Sequence, residues 1–231
     1  MNRSYAHENL KDLVTKTSVS ELKKAQMDLE FAQELFPQKE AVPYVPAFMQ
    51  EEQELSGADR GSAYHRVMEL LDFVKVLEAS SDGLVAELKR QISSMVDQEL
   101  LQKQWGDAVS IKKLLRFFQS DLAQRMAEAQ RRGKLKKEQP FVLGIAADRL
   151  KSQFPHEEQV LIQGIIDAFF EEGDELILMD YKTDAVKTGE ELVKRYHTQM
   201  EYYTEALERI TGKHVRQRII YSFALGEEIL L

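Results

Sequence analysis

Three charged residues interrupt two apolar segments in the C-terminal part of this 231-residue chain. Asp167 lies within IIDAFF, and Asp180 and Lys182 lie within LILMDYK. The linking sequence EEGDE suits a two-residue hairpin turn, because Gly173 can adopt a positive φ at the first central position without strain. We therefore predict a β-hairpin whose strands carry these three side chains.

The register of this hairpin brings the two acids together. With Gly173 at the first central position, Asp167 lies opposite Asp180 and Ile165 lies opposite Lys182. Strand side chains alternate between faces, so both aspartates and the lysine share one face. Directly opposed residues have Cβ atoms about 4.5–5.5 Å apart, and two buried carboxylates at that separation repel each other. Either one acid is protonated or a cation lies between them.

This pattern is suited to the hydrolysis of phosphodiester bonds. Ligation by carboxylate oxygens favours a hard ion, Mg²⁺ or Mn²⁺. The neighbouring Lys182 can contact a substrate anion or polarise a water molecule. The D-x-K spacing alone is weak, and the alternative is a surface hairpin with solvated charges, including a lysine that extends its ammonium group into water. The apolar run from Leu176 to Met179 argues against a fully solvated strand.

Apolar periodicity predicts the elements that must position these residues. Repeated helical stripes between about Arg60 and Gln130 predict three or four helices. Segments rich in branched and aromatic residues predict strands at 140–150, 160–170, 175–183 and 218–225. A helix over 191–212, closed by Gly212, precedes the last of them. We predict an α/β (or α+β) fold, in which a mixed β-sheet is flanked by helices and preceded by a helical block.

The size of the chain suits one sizeable domain. Hydrophobic residues make up 43% of the sequence, enough for a substantial core. We assign this domain to residues 60–231, with a helical part over 60–135 and a sheet core over 136–231.

Residues 1–59 are predicted to be a linker or N-terminal segment that leads into the domain. Ser18 or Ser20 is expected to cap a helix through ELKKAQMDLEFAQEL. The proline-rich PQKEAVPYVPAF is expected to be extended. We expect this segment to cross the surface rather than to build the core.

Charge and composition exclude several classes of protein. The net charge is −8 and the pI is about 5.3, which argues against binding nucleic acid through the overall field of the protein. The basic runs at 131–137 and 213–218 are predicted to be solvated surface. The absence of cysteine excludes disulfides, thiolate zinc sites and cysteine-ligated iron–sulfur clusters. No membrane span and no secretory signal are recognisable, so a cytoplasmic location is the default.

Four motifs together resemble a known nuclease family. GIID followed by MDYKTD is similar to the core of the RecB-type nucleases of the PD-(D/E)XK superfamily. RGSAYHRVMELLDF resembles the G-x-x-x-H helix of that family and would supply His65. YHTQMEYYTEAL matches its Q-x-x-x-Y helix and would supply Gln199 and Tyr203. Within the superfamily, nearly the whole chain resembles the C-terminal nuclease domain of AddA-type (RexA-type) helicase–nuclease proteins, and the fold implied is restriction-endonuclease-like.

The resemblance implies roles for individual residues at a Mg²⁺ (or Mn²⁺) site. Asp167, Asp180, His65 and the backbone carbonyl of Tyr181 would be metal ligands. Lys182 would orient or activate the attacking water and offset charge at the scissile phosphate. On spacing alone, the histidine would be interpreted as a buried structural residue.

The resemblance also places a helix beside the active site. Gln199 would contact substrate or the lysine, together with Tyr203, while Tyr196 lies on the same helical face. The alternative for the two tyrosines is an aromatic stripe that packs on the sheet. Gln163 and Glu138 are weaker candidates.

The function implied is that of a metal-dependent DNA exonuclease domain. It would hydrolyse the 3′-ended strand during double-strand-break processing for homologous recombination. A helicase motor would deliver single-stranded DNA. No G-x-x-x-x-G-K-[ST] loop occurs in this chain, so the ATPase would lie in another part of the protein. An AddB-type (RexB-type) subunit would be the partner. The rivals are a free-standing nuclease and a catalytically inactive nuclease-fold module for DNA guidance or subunit docking.

Overall fold

The computed structural model describes most of the chain from residue 55 onward and two short pieces before it. The described residues are 15–19, 21–22, 55–79, 83–150 and 154–231. The body of the helix predicted after Ser20 and the proline-rich segment at 37–48 lie outside these residues.

From residue 57 onward the described chain passes from helices to strands in the predicted order, but six helices precede the sheet where three or four were predicted. The helices are α1 (Gly57–Leu70), α2 (Phe73–Glu78), α3 (Leu84–Asp97), α4 (Lys103–Ala108), α5 (Ile111–Phe118), α6 (Asp121–Arg131) and α7 (Gly189–Thr211), with a 3₁₀ turn at Ala147–Arg149. The strands are β1 (Lys16–Ser18), β2 (Leu135–Ala146), β3 (Gln159–Glu172), β4 (Glu175–Lys182), β5 (Val215–Ser222) and β6 (Glu227–Leu230). None of the described helices has the length and apolar character needed to cross a membrane.

The strands form one mixed sheet centred on β3. Strand β2 pairs with β3 in antiparallel fashion along one edge, while β1 (parallel) and β4 (antiparallel) share the other edge. Strand β5 lies parallel to β4, joined to it through α7, and β6 closes the sheet as an antiparallel neighbour of β5. The predicted α/β class with a mixed sheet flanked by helices is confirmed.

Two hydrophobic clusters cover the two faces of the sheet. In β4, Ile177 and Met179 belong to the cluster formed with α1–α6, whereas Leu176 and Leu178 belong to the cluster formed with α7. This alternation is the period of two that a strand imposes. The helical block therefore packs on one face and α7 packs on the other, and alternate residues of β4 face the two layers.

The predicted hairpin between β3 and β4 is present. Gly173 has a φ of 63°, the left-handed conformation expected at the first central position of the turn. The ladder runs from Glu172–Glu175 to Ala168–Met179, which is the predicted register. The next pair along that register would be the two aspartates of the candidate site.

The N-terminal segment contributes more than the sequence pattern indicated. Strand β1 extends the sheet, and Val19 is buried in the core. The expectation that this segment stays outside the core is therefore wrong at these residues. Ser18 is the N-cap of the turn that follows, because its Oγ accepts a hydrogen bond from the N–H of Glu21 while its own N–H donates to that glutamate's carboxylate.

A half-buried lysine connects the sheet to the helix that carries His65. Nζ of Lys137 donates to the carbonyl oxygens of Met68 (3.1 Å), Glu69 (3.3 Å) and Leu71 (2.6 Å) at the end of α1. These carbonyls have no partner further along the helix, and they lie at the negative end of its dipole. The lysine thus fixes the C-terminal end of α1 against β2.

Replacement of this lysine is expected to destabilise the domain. Lys137→Met leaves the carbonyls at the end of α1 unsatisfied and should lower the free energy of unfolding by about 1–3 kcal/mol, measured by urea denaturation. Lys136→Met is the matched control. Lys136 is the exposed neighbour of Lys137, so its replacement should change the free energy of unfolding by less than about 0.5 kcal/mol. Equal stabilities of the two variants would contradict this role.

Candidate active site

One cleft gathers the residues that the sequence predicted for chemistry. It has a volume of about 1620 Å³ and is bounded by α1, the α4–α5 region, β3, β4 and α7. The predicted residues that line it are His65, Asp167, Asp180, Tyr181, Lys182, Gln199 and Tyr203, together with the weaker candidates Glu138 and Tyr196. Gln163 is exposed and is not part of this lining.

The sheet opens beside Asp167. On one edge of β3, Gln163 pairs with Ser18 of β1, and the next ladder pair is Ala168 with Met179 of β4. The residues between them, which include Asp167, have no ladder partner on that edge among the described strands. The aspartate therefore lies in the stretch of β3, unpaired on that edge, between its ladders with β1 and β4.

The other edge of β3 is also irregular at this position. Glu138 of β2 has a φ of 47°, an uncommon left-handed conformation for a residue other than glycine. The pair that it would form with Asp167 is missing from the β2–β3 ladder, although the pairs on either side persist. Strand β2 therefore bends where the carboxylate of Glu138 enters the cleft.

Asp167 is nearly buried and is bound on both carboxylate oxygens. Nδ1 of His65 lies 3.2 Å from Oδ1, and the backbone N–H of Tyr181 donates to Oδ2 at 2.7 Å. Burial alone would raise the pKa of Asp167, but the hydrogen bond and charge of His65 and the charge of Lys182 hold this pKa below its ordinary value.

The same contact acts on the imidazole of His65. Burial opposes the charged form of the imidazole, but the hydrogen bond and charge of Asp167 outweigh burial and raise the pKa of His65. The contact thus favours the protonated imidazole and the ionised carboxylate together.

Asp180 has no exposed surface and is held by two other groups. Nε2 of Gln199 donates to Oδ1 at 2.7 Å, and Nζ of Lys182 forms an ion pair with Oδ2. Burial is the main cause that raises the pKa of Asp180; the charge of Lys182 lowers it and the charge of Asp167 raises it further. Gln199 thus contacts the aspartate, whereas a contact with substrate or with the lysine was expected from the sequence.

A second set of donors lies beside this pair. His65, Glu138 and Asp167 each offer a ligand atom, and these atoms lie within 4.8 Å of one another. Two carboxylates and an imidazole suit a divalent cation such as Mn²⁺ or Mg²⁺. Burial, followed by the charge of Asp167, raises the pKa of Glu138 to about 7, as expected for a carboxyl group buried beside another acid.

One family model covers most of the chain. The model of the PD-(D/E)XK nuclease superfamily matches residues 7–228. The chain belongs to this superfamily.

Curated relatives are longer proteins that share one name, the A subunit of an ATP-dependent helicase/nuclease. The chain is 37% identical to the protein of that name from Lachnoclostridium phytofermentans over 222 residues, which is 81% of this chain and 16% of that protein. It is 32% identical to the one from Clostridium novyi (95% of this chain, 17% of that protein) and 38% identical to the one from Clostridium perfringens strain ATCC 13124 (92% and 18%). The chain therefore spans less than a fifth of the length of these relatives.

Sequence reasoning missed one part of this PD-(D/E)XK site. Asp184 accepts hydrogen bonds from Arg195 (2.7 Å) and from the hydroxyl of Tyr196 (2.8 Å). The centroid of the Tyr196 ring lies 4.4 Å from Nζ of Lys182. Asp184 thus fixes the aromatic ring against which the lysine packs. The available signal was an acid two residues after the lysine, followed by an arginine–tyrosine pair in the first turns of a helix.

The two other predicted tyrosines are held mainly by packing. The side chain of Tyr181 faces the helical core, so its backbone, through the N–H bonded to Asp167, is the part that serves the site. Tyr203 lies edge-on to Phe141, with ring centroids 5.5 Å apart, and burial raises the pKa of its hydroxyl. The position of Tyr203 is therefore explained largely by packing in the predicted aromatic stripe on the sheet.

The buried pair of Asp180 and Lys182 makes a prediction for stability without added metal. Lys182→Met leaves a buried carboxylate without its cation and should lower the free energy of unfolding by about 3–5 kcal/mol. The double variant Asp180→Asn/Lys182→Met should recover most of that loss, because no unpaired charge remains. Lys187→Met, at an exposed site, is the control. Additive losses in urea denaturation would contradict a direct pair.

Proposed function

We propose that the chain is a metal-dependent nuclease domain that hydrolyses phosphodiester bonds of DNA. The observation that carries the proposal is the placement of two adjoining groups in one cleft. His65, Glu138 and Asp167 form a set of donors for a divalent cation, and Asp180 with Lys182 lies beside it. Membership in the nuclease superfamily supports the same reaction class.

The cation would be held by His65, Glu138 and Asp167, with Asp180 and the carbonyl of Tyr181 as the further ligands expected from the sequence. When bound, a divalent ion supplies Lewis-acid activation and neutralises charge on the phosphate. The N–H of Tyr181 fixes one oxygen of Asp167, so the other oxygen has a defined direction. The imidazole must lose its proton before it can serve as a ligand.

Lys182 would face the reacting phosphate and its attacking water. Asp180 and the ring of Tyr196 hold the ammonium group, and Gln199 fixes Asp180 from α7. A cation held in place offsets negative charge that develops at the phosphate without reorganisation during the reaction. The sheet and α7 thus share the positioning of one catalytic group.

The names of the relatives suggest the setting in which this chemistry takes place. We propose that the domain is part of an AddA-type helicase–nuclease that works with an AddB-type (RexB-type) subunit in the cytoplasm. A motor elsewhere in the protein would deliver single-stranded DNA, and the 3′-ended strand would be cut during double-strand-break processing for recombination. Delivery explains how a chain with a net charge of −8 acts on DNA. An inactive module is disfavoured, because the complete set of acids and the lysine is retained.

Cleavage of single-stranded DNA tests the catalytic assignment. Asp167→Asn and Asp180→Asn should abolish Mg²⁺- or Mn²⁺-dependent cleavage of a labelled oligonucleotide, and Lys182→Ala should lower kcat by about 10²–10³. Asp107→Asn is the control, because this acid lines the cleft but pairs with Lys103. Cleavage that survives both aspartate substitutions would overturn the assignment.

Binding of the cation alone can be measured without DNA. Mn²⁺ should raise the Tm of the wild-type chain, because a ligand that binds only the folded state stabilises it by mass action. Glu138→Gln should shift the metal titration to higher concentration and Asp167→Asn should abolish the rise. Glu69→Gln, a cleft acid paired with Arg66, should behave as wild type. A rise unchanged by Glu138→Gln would remove Glu138 from the ligand set.

A further inference from the structure

Most charged side chains of the cleft have an ion-pair partner that lies in the cleft or beside it. The contacts are Arg66 with Glu69 (2.6 Å), Lys103 with Asp107 (2.9 Å), Arg195 with Asp184 (2.7 Å), His65 with Asp167 (3.2 Å) and Lys182 with Asp180. Such pairing is expected in a chain with 39 acidic and 31 basic residues, because a cation on this protein readily finds an acid.

Two basic residues of the cleft have no ion-pair partner among the described residues. Arg60 of α1 and Lys113 of α5 both line the cleft and are both exposed. Within the described part of the chain, neither side chain forms an ion pair or a hydrogen bond. Their charges are therefore available to a ligand, in a cleft that also holds the candidate catalytic residues.

The backbone positions of both residues are fixed relative to the site by helices. Arg60 precedes His65 by five residues on the same helix, about 7.5 Å along its axis. The N–H of Ser110 donates to the hydroxyl of the buried Tyr64 at 3.0 Å, which joins the start of α5 to α1. Lys113 lies three residues after Ser110. The two helices thus form one wall of the cleft, with a cation on each.

We propose that Arg60 and Lys113 form a binding subsite for the phosphates of single-stranded DNA that flank the scissile phosphate. Arg60 and His65 both line the cleft and differ by about 7.5 Å along the axis of α1, so a strand that follows this wall can pass both positions. A guanidinium can bind phosphate oxygens through two parallel hydrogen bonds, and an ammonium acts as a point charge. Such contacts position the strand and do not depend on base sequence.

This inference rests on the proposed nuclease function and can be tested on the same chain. KM is obtained from initial rates on labelled oligo(dT) and on a mixed-sequence strand, at KCl concentrations from about 50 to 200 mM. Arg60→Ala and Lys113→Ala should each lower the slope of log KM against log salt by about 0.7, and should raise KM at low salt by about 3-fold or more. The effect should be equal on both strands and larger in KM than in kcat.

The chain offers matched controls for both substitutions. Lys112 is the exposed neighbour of Lys113 on α5 but does not line the cleft, so Lys112→Ala should keep the wild-type KM and slope. Arg60→Lys keeps the charge and should keep the slope. Tm should be unchanged in every variant, because these side chains are exposed.

The outcomes separate this inference from the proposed function. If the wild-type chain cleaves DNA but Arg60→Ala and Lys113→Ala match Lys112→Ala, the subsite is refuted and the nuclease assignment stands. If the wild-type chain shows no metal-dependent cleavage or binding of single-stranded DNA, the proposed function fails and the subsite fails with it. A slope lowered equally by Lys112→Ala would show a general effect of surface charge and would also refute the subsite.

Discussion

Two carboxylates inside an apolar sheet are the constraint on which the site depends. Asp180 is fully buried and Asp167 nearly so, and an ionised acid in such a place is unfavourable by several kcal/mol unless it is paired. Asp167 is paired with His65 from α1, and Asp180 with Lys182 from β4 and with Gln199 from α7. Helices on both faces of the sheet therefore supply the partners that keep these two acids stable in the core.

The sheet itself is built less regularly where these acids lie. On one edge of β3 the partner changes from β1 to β4, and on the other edge the backbone of Glu138 is left-handed. A non-glycine residue in this conformation is strained by about 1–3 kcal/mol, and its carboxylate faces another acid. The backbone strain and the two facing acids both destabilise the domain. The same features bring the ligand atoms of His65, Glu138 and Asp167 together. Strain and charge repulsion are therefore concentrated at one position, where a bound cation would relieve the repulsion.

Much of this arrangement could be predicted from the sequence, because it depends on local rules. Gly173 sets the turn and the turn sets the register, which explains why Asp167 and Asp180 could be placed on neighbouring strands from the residue pattern alone. Glu138 could be named only as a weaker candidate, because its place in the cleft depends on a backbone irregularity that no residue preference signals. Strand β1 was missed because three residues carry too little periodicity. The partners of Gln199 depended on tertiary packing, which spacing on one helix does not define.

The charge distribution bears on how an acidic domain would act on DNA. Most cleft charges are paired internally, so the field that reaches a strand in solution is that of a protein with a net charge of −8. Arg60, Lys113 and one bound ion would provide only a few phosphate contacts, which is weak attraction for a free strand at physiological salt. A strand held nearby by another part of the same assembly has a high effective concentration, and the same few contacts then suffice. On the proposed function, weak intrinsic affinity would thus favour cleavage of delivered DNA over DNA encountered at random.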